Sequence, residues 1–438
     1  MIKLYQNAKG CRLRVHIITT GCSISRAIGE ILKYRIDKSK NLELNSLDDA
    51  DIVILNLCAV KKPTEDKEIE LAKKIVRMGK RIIITGCLAE SSHRRIRRQV
   101  PEASVVSVEL LLGDNLDEIL DAVYSGDTIY SIGHPLQLHY PVNTILDNPL
   151  IGTIPIAFGC TNSCSYCIDV KIWGRVKSLP LDEIISQAKK LIRKGVKEIR
   201  LTAHDTAAYG LDLGCTLVDL IEKILEIDGE FRLRIGMASP NTFEPISDAL
   251  LDIILQDDRV YKFIHIPVQS GSNRILRLMN RPYTIEEYAE LFNKVRKKLG
   301  SYSTIATDII SAFPTETEED HKATMKMLEK LKPDIVNLSR YGDRPGTPST
   351  KLRPKVNSKV AKRRTKELFE LIKKISFARN QIFKGRTLEV LFLEKKGQYA
   401  GRAFNNRLVY VNEDVKLGEF YQVKIKNNTW KSLYGEIV

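Results

Sequence analysis

The sequence has no long apolar run and no export signal. A membrane-spanning helix needs roughly 18 or more consecutive apolar residues, and no stretch of the 438 residues reaches that length. The segment Met1–Tyr5 lacks the pattern of a signal peptide. These two absences argue against a membrane-spanning or secreted protein, and we expect a cytoplasmic protein with no membrane contact.

Cysteine is scarce, and acidic residues are outnumbered. With no export signal, the eight cysteines indicate metal or redox chemistry in a reducing compartment rather than a disulfide scaffold. Lys and Arg total 69 against 54 Asp and Glu, which gives a formal net charge of +15. Such an excess suggests a polyanionic partner such as RNA. The length predicts two or three domains.

Three cysteines lie in one short stretch with the spacing C-x3-C-x2-C: Cys160, Cys164 and Cys167. A short loop lets three thiolates bind one face of a 4Fe-4S cluster. The fourth iron then has no protein ligand and can bind the amino and carboxylate groups of S-adenosylmethionine. A zinc loop or buried thiols are the alternatives, but zinc sites usually take four ligands in C-x2-C pairs. The spacing resembles the signature of radical SAM enzymes.

Residues 1 to about 135 predict an open parallel α/β sheet, because short β-branched runs alternate with amphipathic segments. The runs are Arg14–Thr19, Asp51–Leu57, Arg81–Thr85 and Ser104–Val108. Cys22, Cys58 and Cys87 each follow one of them. Because the carboxyl ends of parallel strands line one crevice, we expect these three cysteines to meet and to bind a second cluster. Cys11 and Cys215 are interpreted as structural or incidental.

The stretch Ser91–Gln99 is strongly basic, with four arginines. If it is helical, the arginines lie on adjoining faces. Two interpretations stay open at this point, a solvated helix face and a phosphate-contacting surface.

From Ile154 the strand-then-helix alternation restarts and predicts a partial (β/α)6 barrel. The candidate strands are Ile154–Phe158, Glu198–Ala203, Arg232–Met237, Lys262–Pro267, Ser303–Ser311 and Asp334–Ser339. In barrels of this kind the active-site groups sit on loops after the strand ends. Isolated polar groups there seldom serve the core, so Asp205, Gln269 and Asp308 are candidate site residues. His204 is as compatible with a structural role as with a contact.

The C-terminal part begins with a charged helix from Lys359 to about Phe383 and ends in five short strands. These are Thr387–Leu393, Tyr399–Phe404, Leu408–Val411, Phe420–Ile425 and Ser432–Val438. Basic and aromatic residues are interleaved in them, which suits a small OB-like barrel that holds RNA. A purely structural barrel is the alternative. Overall we predict domains at 1–135, 153–383 and 384–438, with a linker at 136–152.

Longer motifs along the whole chain resemble the methylthiotransferase family, which has an N-terminal cluster domain, a radical SAM domain and a C-terminal TRAM domain. The motifs are Cys58–Glu65, Leu201–Gly210, Pro267–Ser272, Ala306–Ile310, Phe313–Thr317 and Arg344–Pro348. The first two resemble the archaeal and eukaryotic branch that acts on tRNA. Two positions depart from the family pattern after Cys22, Ser25 and Ile28. Trp173 stands where the branch often has Arg, and Arg175 follows two residues later.

The resemblance implies a reaction on tRNA, the replacement of the C2 hydrogen of N6-threonylcarbamoyladenosine next to the anticodon by a methylthio group. It implies two 4Fe-4S clusters and S-adenosylmethionine as cofactors. One S-adenosylmethionine would be cleaved at the cluster bound by Cys160, Cys164 and Cys167. Another would methylate a sulfur carried at the cluster of Cys22, Cys58 and Cys87.

Further site residues and partners follow from the same resemblance. Tyr166 would lie near the adenine of S-adenosylmethionine. Asp205, Gln269, Ser270 and Asp308 would hold its methionine and ribose portions or the substrate. The TRAM barrel and the basic helix would hold the tRNA, and we expect a flavodoxin- or ferredoxin-like reductant and a monomeric protein.

Two competing hypotheses remain. The first keeps the enzyme class but changes the substrate to another tRNA adenosine modification or to a protein side chain. The second is an RNA-binding module with purely structural iron–sulfur sites. The complete set of six cluster cysteines favours the enzyme.

Overall fold

The structure is a computed structural model that describes residues 12–59, 62–133 and 144–438. Cys11, the segment Met1–Tyr5 and most of the predicted linker lie outside the described residues. The chain divides into two compact units. Residues 1–147 and 171–174 form the first, and residues 148–170 and 175–438 form the second.

The first unit is built on a six-stranded sheet in the order β2-β1-β3-β4-β5-β6, in which every neighbouring pair is parallel. Its central strands are buried on both faces, as their Ile- and Val-rich sequences predict. The strands are β1 Leu13–Thr19, β2 Leu42–Leu44, β3 Ile52–Asn56, β4 Arg81–Thr85, β5 Ser104–Val106 and β6 Tyr130–Ser131. The helices are α1 Ser23–Lys38, α2 Lys62–Arg77, α3 Cys87–Gln99, α4 Val108–Leu112 and α5 Leu116–Ser125.

The parallel sheet confirms the predicted architecture of this region, with two strands that the sequence did not indicate. β2 has three residues and β6 has two, and both are edge strands. A strand of two or three residues is too short to give a period-two pattern, so these two additions could not be predicted from alternation.

The second unit begins with six parallel strands that form an open partial barrel. β7-β10-β11 and β12-β13-β14 are two sheets, and single parallel bridges from Leu233 to Val260 and from Met237 to His265 join them. The six parallel strands are β7 Ile151–Pro155, β10 Glu198–Thr202, β11 Arg232–Arg234, β12 Phe263–His265, β13 Thr304–Ser311 and β14 Ile335–Arg340. Two further short strands, β8 Ala157–Phe158 and β9 Lys177–Ser178, form a separate antiparallel pair. The predicted partial (β/α)6 barrel is confirmed.

Helices alternate with these strands along the chain, and several begin with a capping box. The side chains of Thr216, Thr284 and Thr317 each accept a hydrogen bond from the backbone N–H three residues later. These bonds satisfy amide groups that have no partner within the helix. The helices are α6 Asp169–Trp173, α7 Leu181–Arg193, α8 Leu217–Leu225, α9 Pro240–Phe243, α10 Ser247–Gln256, α11 Asn273–Leu278, α12 Ile285–Leu299, α13 Glu318–Leu331 and α14 Ser358–Gln381. Within the described ranges, no helix is both long and apolar enough to cross a bilayer.

The first barrel strand starts at Ile151, three residues before the predicted start. Gly152 favours a loop in sequence-based reasoning, yet here it lies inside the strand. A Cβ at this position would lie 2.7 Å from Leu191 Cδ1 on α7. Glycine is therefore used for close helix packing and not for a turn.

The chain ends in a closed five-stranded barrel in the order β15-β16-β17-β19-β18, as predicted. Its strands are β15 Thr387–Lys396, β16 Gln398–Ala403, β17 Leu408–Val411, β18 Phe420–Asn428 and β19 Leu433–Ile437. This barrel packs on the partial barrel within the same unit. Leu391 and Leu393 share an apolar cluster with Ile151, and the Lys262 amide donates to the Phe404 carbonyl at 2.9 Å.

Candidate active site

The stretch from Gly159 to Cys167 leaves β8 as a tight loop. Gly159 has a φ of 75°, a left-handed conformation that glycine adopts without steric cost. The Cys167 amide donates to the Cys164 carbonyl at 3.1 Å, which closes a turn between the two cysteines. Cys160, Cys164 and Cys167 are half-buried free thiols, so their sulfurs can act as ligands.

Burial is the main influence on the ionisation of the Cys160 and Cys167 thiols. It raises the pKa of Cys160 to about 11 and the pKa of Cys167 well above its ordinary value. The neighbouring Cys164 thiol adds to both shifts, because nearby anions oppose each other's ionisation. Burial thus disfavours the thiolate forms of Cys160 and Cys167. The positive charge of a bound metal would make these thiolate forms favourable.

The donor set of the three cysteines fits an iron–sulfur cluster. Among residues 12–59, 62–133 and 144–438, no three His, Cys, Asp or Glu side chains are placed to hold one metal ion. In a 4Fe-4S cluster each cysteine ligates a different iron, so the sulfurs stand farther apart than around one ion. Three soft thiolates are also the donor set that iron–sulfur clusters use.

Arg281 brings a positive charge to Cys164. Its Nη1 donates to Cys164 Sγ at 3.0 Å, and its Nε donates to the Tyr283 hydroxyl at 2.7 Å. Arg281 is only 8% exposed, so its charge acts in a medium of low dielectric and stabilises a thiolate strongly. Sequence analysis missed this residue because 117 positions separate it from Cys164.

Tyr166 lies between two of the cysteines and is fixed by aromatic packing. Its ring meets Phe313 edge-on, with centroids 6.5 Å apart and an interplanar angle of 84°. Burial raises the pKa of the Tyr166 hydroxyl, so it stays protonated and can donate a hydrogen bond. A contact with the adenine of S-adenosylmethionine stays a prediction.

Asp205 follows β10 and is held by internal hydrogen bonds. It is 1% exposed, its Oδ1 accepts from the Ser239 amide at 3.0 Å, and its Oδ2 accepts from the Thr242 hydroxyl at 2.8 Å. Asn162, in the cysteine loop, donates to Ser239 Oγ at 3.0 Å. Burial raises the pKa of Asp205. The carboxylate thus supports the wall next to the cysteine loop, and its predicted cofactor contact stays a prediction.

Gln269 and Ser270 form a strained turn at the end of the fourth barrel strand. Gln269 has a φ of 75°, which is uncommon for a residue with a Cβ and recurs at functional sites. The turn is held by the Gln269 amide, which donates to the Asp308 carbonyl at 2.8 Å. Ser270 is buried, and its hydroxyl accepts from the Ser272 amide at 3.2 Å. Their predicted roles in binding stay predictions.

Asp308 lies on β13 within a polar group formed by three adjacent strands. Its Oδ1 lies 2.9 Å from His265 Nε2 on β12 and accepts from Asn337 Nδ2 on β14 at 2.8 Å. Sequence reasoning singled out Asp308 but missed His265 and Asn337, because only the strand register places them beside it.

The other three cysteines lie at the carboxyl ends of adjacent strands in the first unit. The Thr20 amide donates to the Asn56 carbonyl at 3.0 Å, and the Leu57 amide donates to the Thr85 carbonyl at 3.1 Å, so the loops that carry the cysteines run side by side. A Cβ on Gly21 would lie 2.7 Å from Cys58 Cβ. Cys58 and Cys87 are buried and Cys22 is exposed. This edge of the sheet is thus open to solvent at Cys22.

Trp173, which departs from the family pattern, and the nearby Arg175 have defined local environments. Trp173 packs against the apolar core that contains Cys87 in the first unit, which explains an aromatic side chain at this position. Arg175, in the second unit, donates from Nη1 to the Thr161 carbonyl of the cysteine loop at 2.7 Å.

The basic stretch is part of α3, and its arginines have different environments. Arg95 pairs with Glu65 at 2.8 Å and with Asp66 at 2.6 Å. Arg94, Arg97 and Arg98 are exposed, and the Arg97 guanidinium lies 4.7 Å from the centroid of the Tyr130 ring. Three arginines therefore remain on the surface.

A second basic surface joins α14 to the C-terminal barrel. Trp430 meets Phe369 edge-on with centroids 5.6 Å apart, and Lys431 Nζ lies 4.6 Å from the centroid of the Trp430 ring. Phe369 is 39% exposed. Three exposed lysines of α14 accompany this pair: Lys359, Lys362 and Lys366. In contrast, Arg364 is buried and pairs with Glu316, so it serves the fold.

Family comparisons cover most of the chain. Residues 154–328 match the radical SAM superfamily, residues 381–438 match the TRAM domain, and residues 14–107 match a family described as Uncharacterized protein family UPF0004. Among solved structures, the radical S-adenosylmethionine methyltransferase TsrM from Kitasatospora setae has a TM-score of 0.55 at 14% identity. The match covers 77% of this chain and 75% of TsrM, and it shows a shared fold.

Relatives with curated names match over nearly their full length. A protein of Archaeoglobus fulgidus named "Probable threonylcarbamoyladenosine tRNA methylthiotransferase" is 37% identical over 435 residues, which is 97% of this chain and 99% of the relative. A protein of Thermotoga petrophila named "tRNA-2-methylthio-N(6)-dimethylallyladenosine synthase" is 32% identical over 97% of each chain. The matched stretch therefore includes residues of both units.

Proposed function

The chain belongs to the radical SAM methylthiotransferase family, and on that premise we propose that it converts N6-threonylcarbamoyladenosine next to the tRNA anticodon to its 2-methylthio derivative. The observation that carries the proposal is the full-length similarity to an archaeal relative of that name, at 37% identity. Archaeal relatives of that name are 33–37% identical to this chain, and bacterial relatives named for dimethylallyladenosine are 32–34% identical, so sequence identity favours the threonylcarbamoyl substrate by a small margin.

As a radical SAM enzyme the protein uses an iron–sulfur cluster and S-adenosylmethionine. We propose two 4Fe-4S clusters, one held by Cys160, Cys164 and Cys167 and another held at Cys22, Cys58 and Cys87. The bound cofactors supply the radical that attacks an inert aromatic C–H bond and the sulfur and methyl groups that replace the hydrogen. Support for the first site comes from the clustered thiols, and support for the second comes from the adjacent strand ends.

Around the first site the side chains have separate tasks. Arg281 stabilises the charge on the Cys164 sulfur. Tyr166 and its aromatic neighbours exclude water from the cysteine loop. Asp205 fixes the wall beside the loop through Ser239. Gln269, Ser270 and Asp308 are proposed to orient S-adenosylmethionine or the base.

The tRNA is proposed to bind the basic surface of α14 and the C-terminal barrel. Trp430 and Phe369 offer aromatic surface for stacking, and the neighbouring lysines offer charge for the phosphates. In the first unit, the exposed arginines of α3 form a further basic surface. We propose a cytoplasmic location, a flavodoxin- or ferredoxin-like reductant and a monomeric enzyme.

We keep the predicted domain boundaries as part of the proposal. The cluster domain would span 1–135, the linker 136–152, the radical SAM domain 153–383 and the TRAM domain 384–438. Limited proteolysis that cleaves within 136–152 and leaves both flanking fragments intact would support the first boundary.

The second candidate substrate is N6-dimethylallyladenosine, favoured by the bacterial relative at 32% identity. To separate the two, anaerobically reconstituted protein is incubated with reductant, sulfide, S-adenosylmethionine and anticodon stem-loops carrying either nucleoside. Mass spectrometry of the nucleosides should show the methylthio product only with the threonylcarbamoyl substrate, and Cys164→Ala should abolish it. A product formed only from the dimethylallyl substrate would reverse the assignment.

A further inference from the structure

Two arginines lie side by side on the inner wall of the partial barrel. Arg200 on β10 and Arg234 on β11 are register partners. Ile199 and Leu201 are fully buried and point toward the covering helices, so the alternate residue Arg200 faces the barrel interior. Arg234 shares that face because register partners in a parallel pair point to the same side.

The charge of Arg200 is already neutralised. Its Nε donates to Glu198 Oε1 at 2.5 Å, and Glu198 is fully buried. The Tyr261 hydroxyl donates to the other oxygen of Glu198 at 2.6 Å. Both carboxylate oxygens of Glu198 are therefore engaged by these two partners.

Arg234 has no such partner. In the described part of the chain, no carboxylate lies within ion-pair distance of its guanidinium, which lies 5.0 Å from the centroid of the Phe263 ring. Burial, together with the nearby charges of Arg200 and Arg402, lowers the pKa of Arg234 to about 10, and Glu198 only partly compensates. Arg234 is half-buried, and a cation that is largely removed from water, lies among other cations and has no ion-pair partner is unfavourable.

The place of Arg234 in the barrel connects it to the active site. Thr202 follows Arg200 by two residues on the same face, and Asp205 follows at the strand end beside the cysteine loop. Two strand residues span roughly 7 Å, so the arginines lie one pleat repeat deeper than the layer at the strand ends. A base that reacts below the cysteine loop can extend a substituent toward them.

We propose that Arg234 binds a carboxylate on the substituent of the substrate base, with Arg200 adding positive potential. The inference rests on the proposed function, because N6-threonylcarbamoyladenosine carries a threonyl carboxylate and N6-dimethylallyladenosine carries none. A bidentate guanidinium–carboxylate pair would supply the anion that Arg234 lacks. Arg234 is thus a specificity-determining residue for the threonylcarbamoyl substrate.

The test compares kcat/KM for two proteins, each with two substrates. The proteins are the reconstituted wild type and Arg234→Met, and the substrates are a stem-loop with N6-threonylcarbamoyladenosine and the same stem-loop as its threonyl methyl ester. We expect the wild type to lose roughly 10- to 100-fold in kcat/KM on the ester, because a charged hydrogen-bonded pair is lost. Arg234→Met should lose the same factor on the acid and should no longer distinguish acid from ester.

Controls separate this role from a structural one. Arg193 lies at the exposed end of α7, and Arg193→Met should leave kcat/KM unchanged for both substrates. Cleavage of S-adenosylmethionine to 5′-deoxyadenosine without RNA should be equal in all three proteins. If Arg234→Met does not fold, the wild-type comparison of acid and ester still decides, and Arg234→Lys provides a variant that keeps the charge.

Each outcome has one meaning. A wild type that treats acid and ester alike overturns the carboxylate site. Equal losses on both substrates in Arg234→Met also overturn it, because a structural defect does not depend on the substrate charge. A wild type that modifies neither stem-loop, but cleaves S-adenosylmethionine, overturns the proposed function itself.

Discussion

Replacing Asp334 should destabilise the second unit strongly. Asp334 precedes β14 and is buried, with its side chain 0% exposed. Its Oδ1 accepts from Arg379 Nε at 2.7 Å and from Arg407 Nη2 at 2.5 Å, and its Oδ2 accepts from the Ile305 amide at 2.8 Å and from Arg296. The carboxylate therefore joins the partial barrel, α14 and the C-terminal barrel.

The size of the expected loss in the free energy of unfolding follows from the charges that Asp334→Asn leaves without an anion. Three guanidinium groups would remain around a neutral amide, and the Arg407 side chain is only 4% exposed. Burial already lowers the pKa of Arg407 to about 10, so its charge depends on the nearby anion. Removing one partner from a buried ionic network costs about 3–5 kcal/mol, and we expect a loss in that range.

The assay is urea unfolding of the apoprotein, followed by fluorescence. Trp173 and Trp430 are the two tryptophans of the chain, so in a Trp173→Phe background the emission reports on the C-terminal barrel. The matched control is Asp343→Asn, whose side chain is 54% exposed and pairs with Lys355; it should cost at most about 1 kcal/mol. A loss below about 1 kcal/mol for Asp334→Asn would refute the reasoning.

Three more outcomes are expected. Arg281→Met should lower the midpoint potential of the bound cluster by up to about 100 mV in a redox titration followed by EPR, since a charged donor to the Cys164 sulfur favours the more negative reduced state; an unchanged potential would contradict this. Burial raises the pKa of Glu30 to about 7, so ionisation of Glu30 destabilises the fold as the pH rises from about 4.5 to 7. In urea unfolding, Glu30→Gln should therefore raise the free energy of unfolding by up to about 3 kcal/mol at pH 8 and leave it unchanged at pH 4. Equal increases at both pH values would exclude this cause. Trp430→Ala should weaken tRNA binding roughly tenfold in a gel-shift assay at fixed salt, whereas unchanged binding would place the tRNA elsewhere.

Much of the architecture was predictable because local patterns encode it. The barrel strands alternate with helices at regular spacing, and the closed C-terminal barrel has five runs of β-rich sequence. The cysteine triplet at Cys160 is visible as spacing alone. Cys58 and Cys87 could be linked only through the rule that the carboxyl ends of parallel strands share one edge.

The remainder of the site depends on distant parts of the chain. Arg281 reaches Cys164 across 117 positions, and no local pattern marks it. Arg234 looks like an ordinary strand residue until its register partner Arg200 is known, together with the lack of an ion-pair partner among the residues that the structure describes. The internal bonds of Asp205 could not be predicted either, because Ser239 and Thr242 approach it only in the folded barrel.

In the proposed reaction, the two sets of cysteines serve different steps: Cys160, Cys164 and Cys167 serve the cleavage of S-adenosylmethionine, and Cys22, Cys58 and Cys87 serve the transfer of the methylthio group. The most direct measurement compares Cys58→Ala with Cys164→Ala after anaerobic reconstitution, with 5′-deoxyadenosine and the methylthio nucleoside measured in the same reaction. We expect both variants to lose the nucleoside, and only Cys164→Ala to lose 5′-deoxyadenosine. Methylthio product formed by Cys58→Ala at the wild-type rate would contradict the claim.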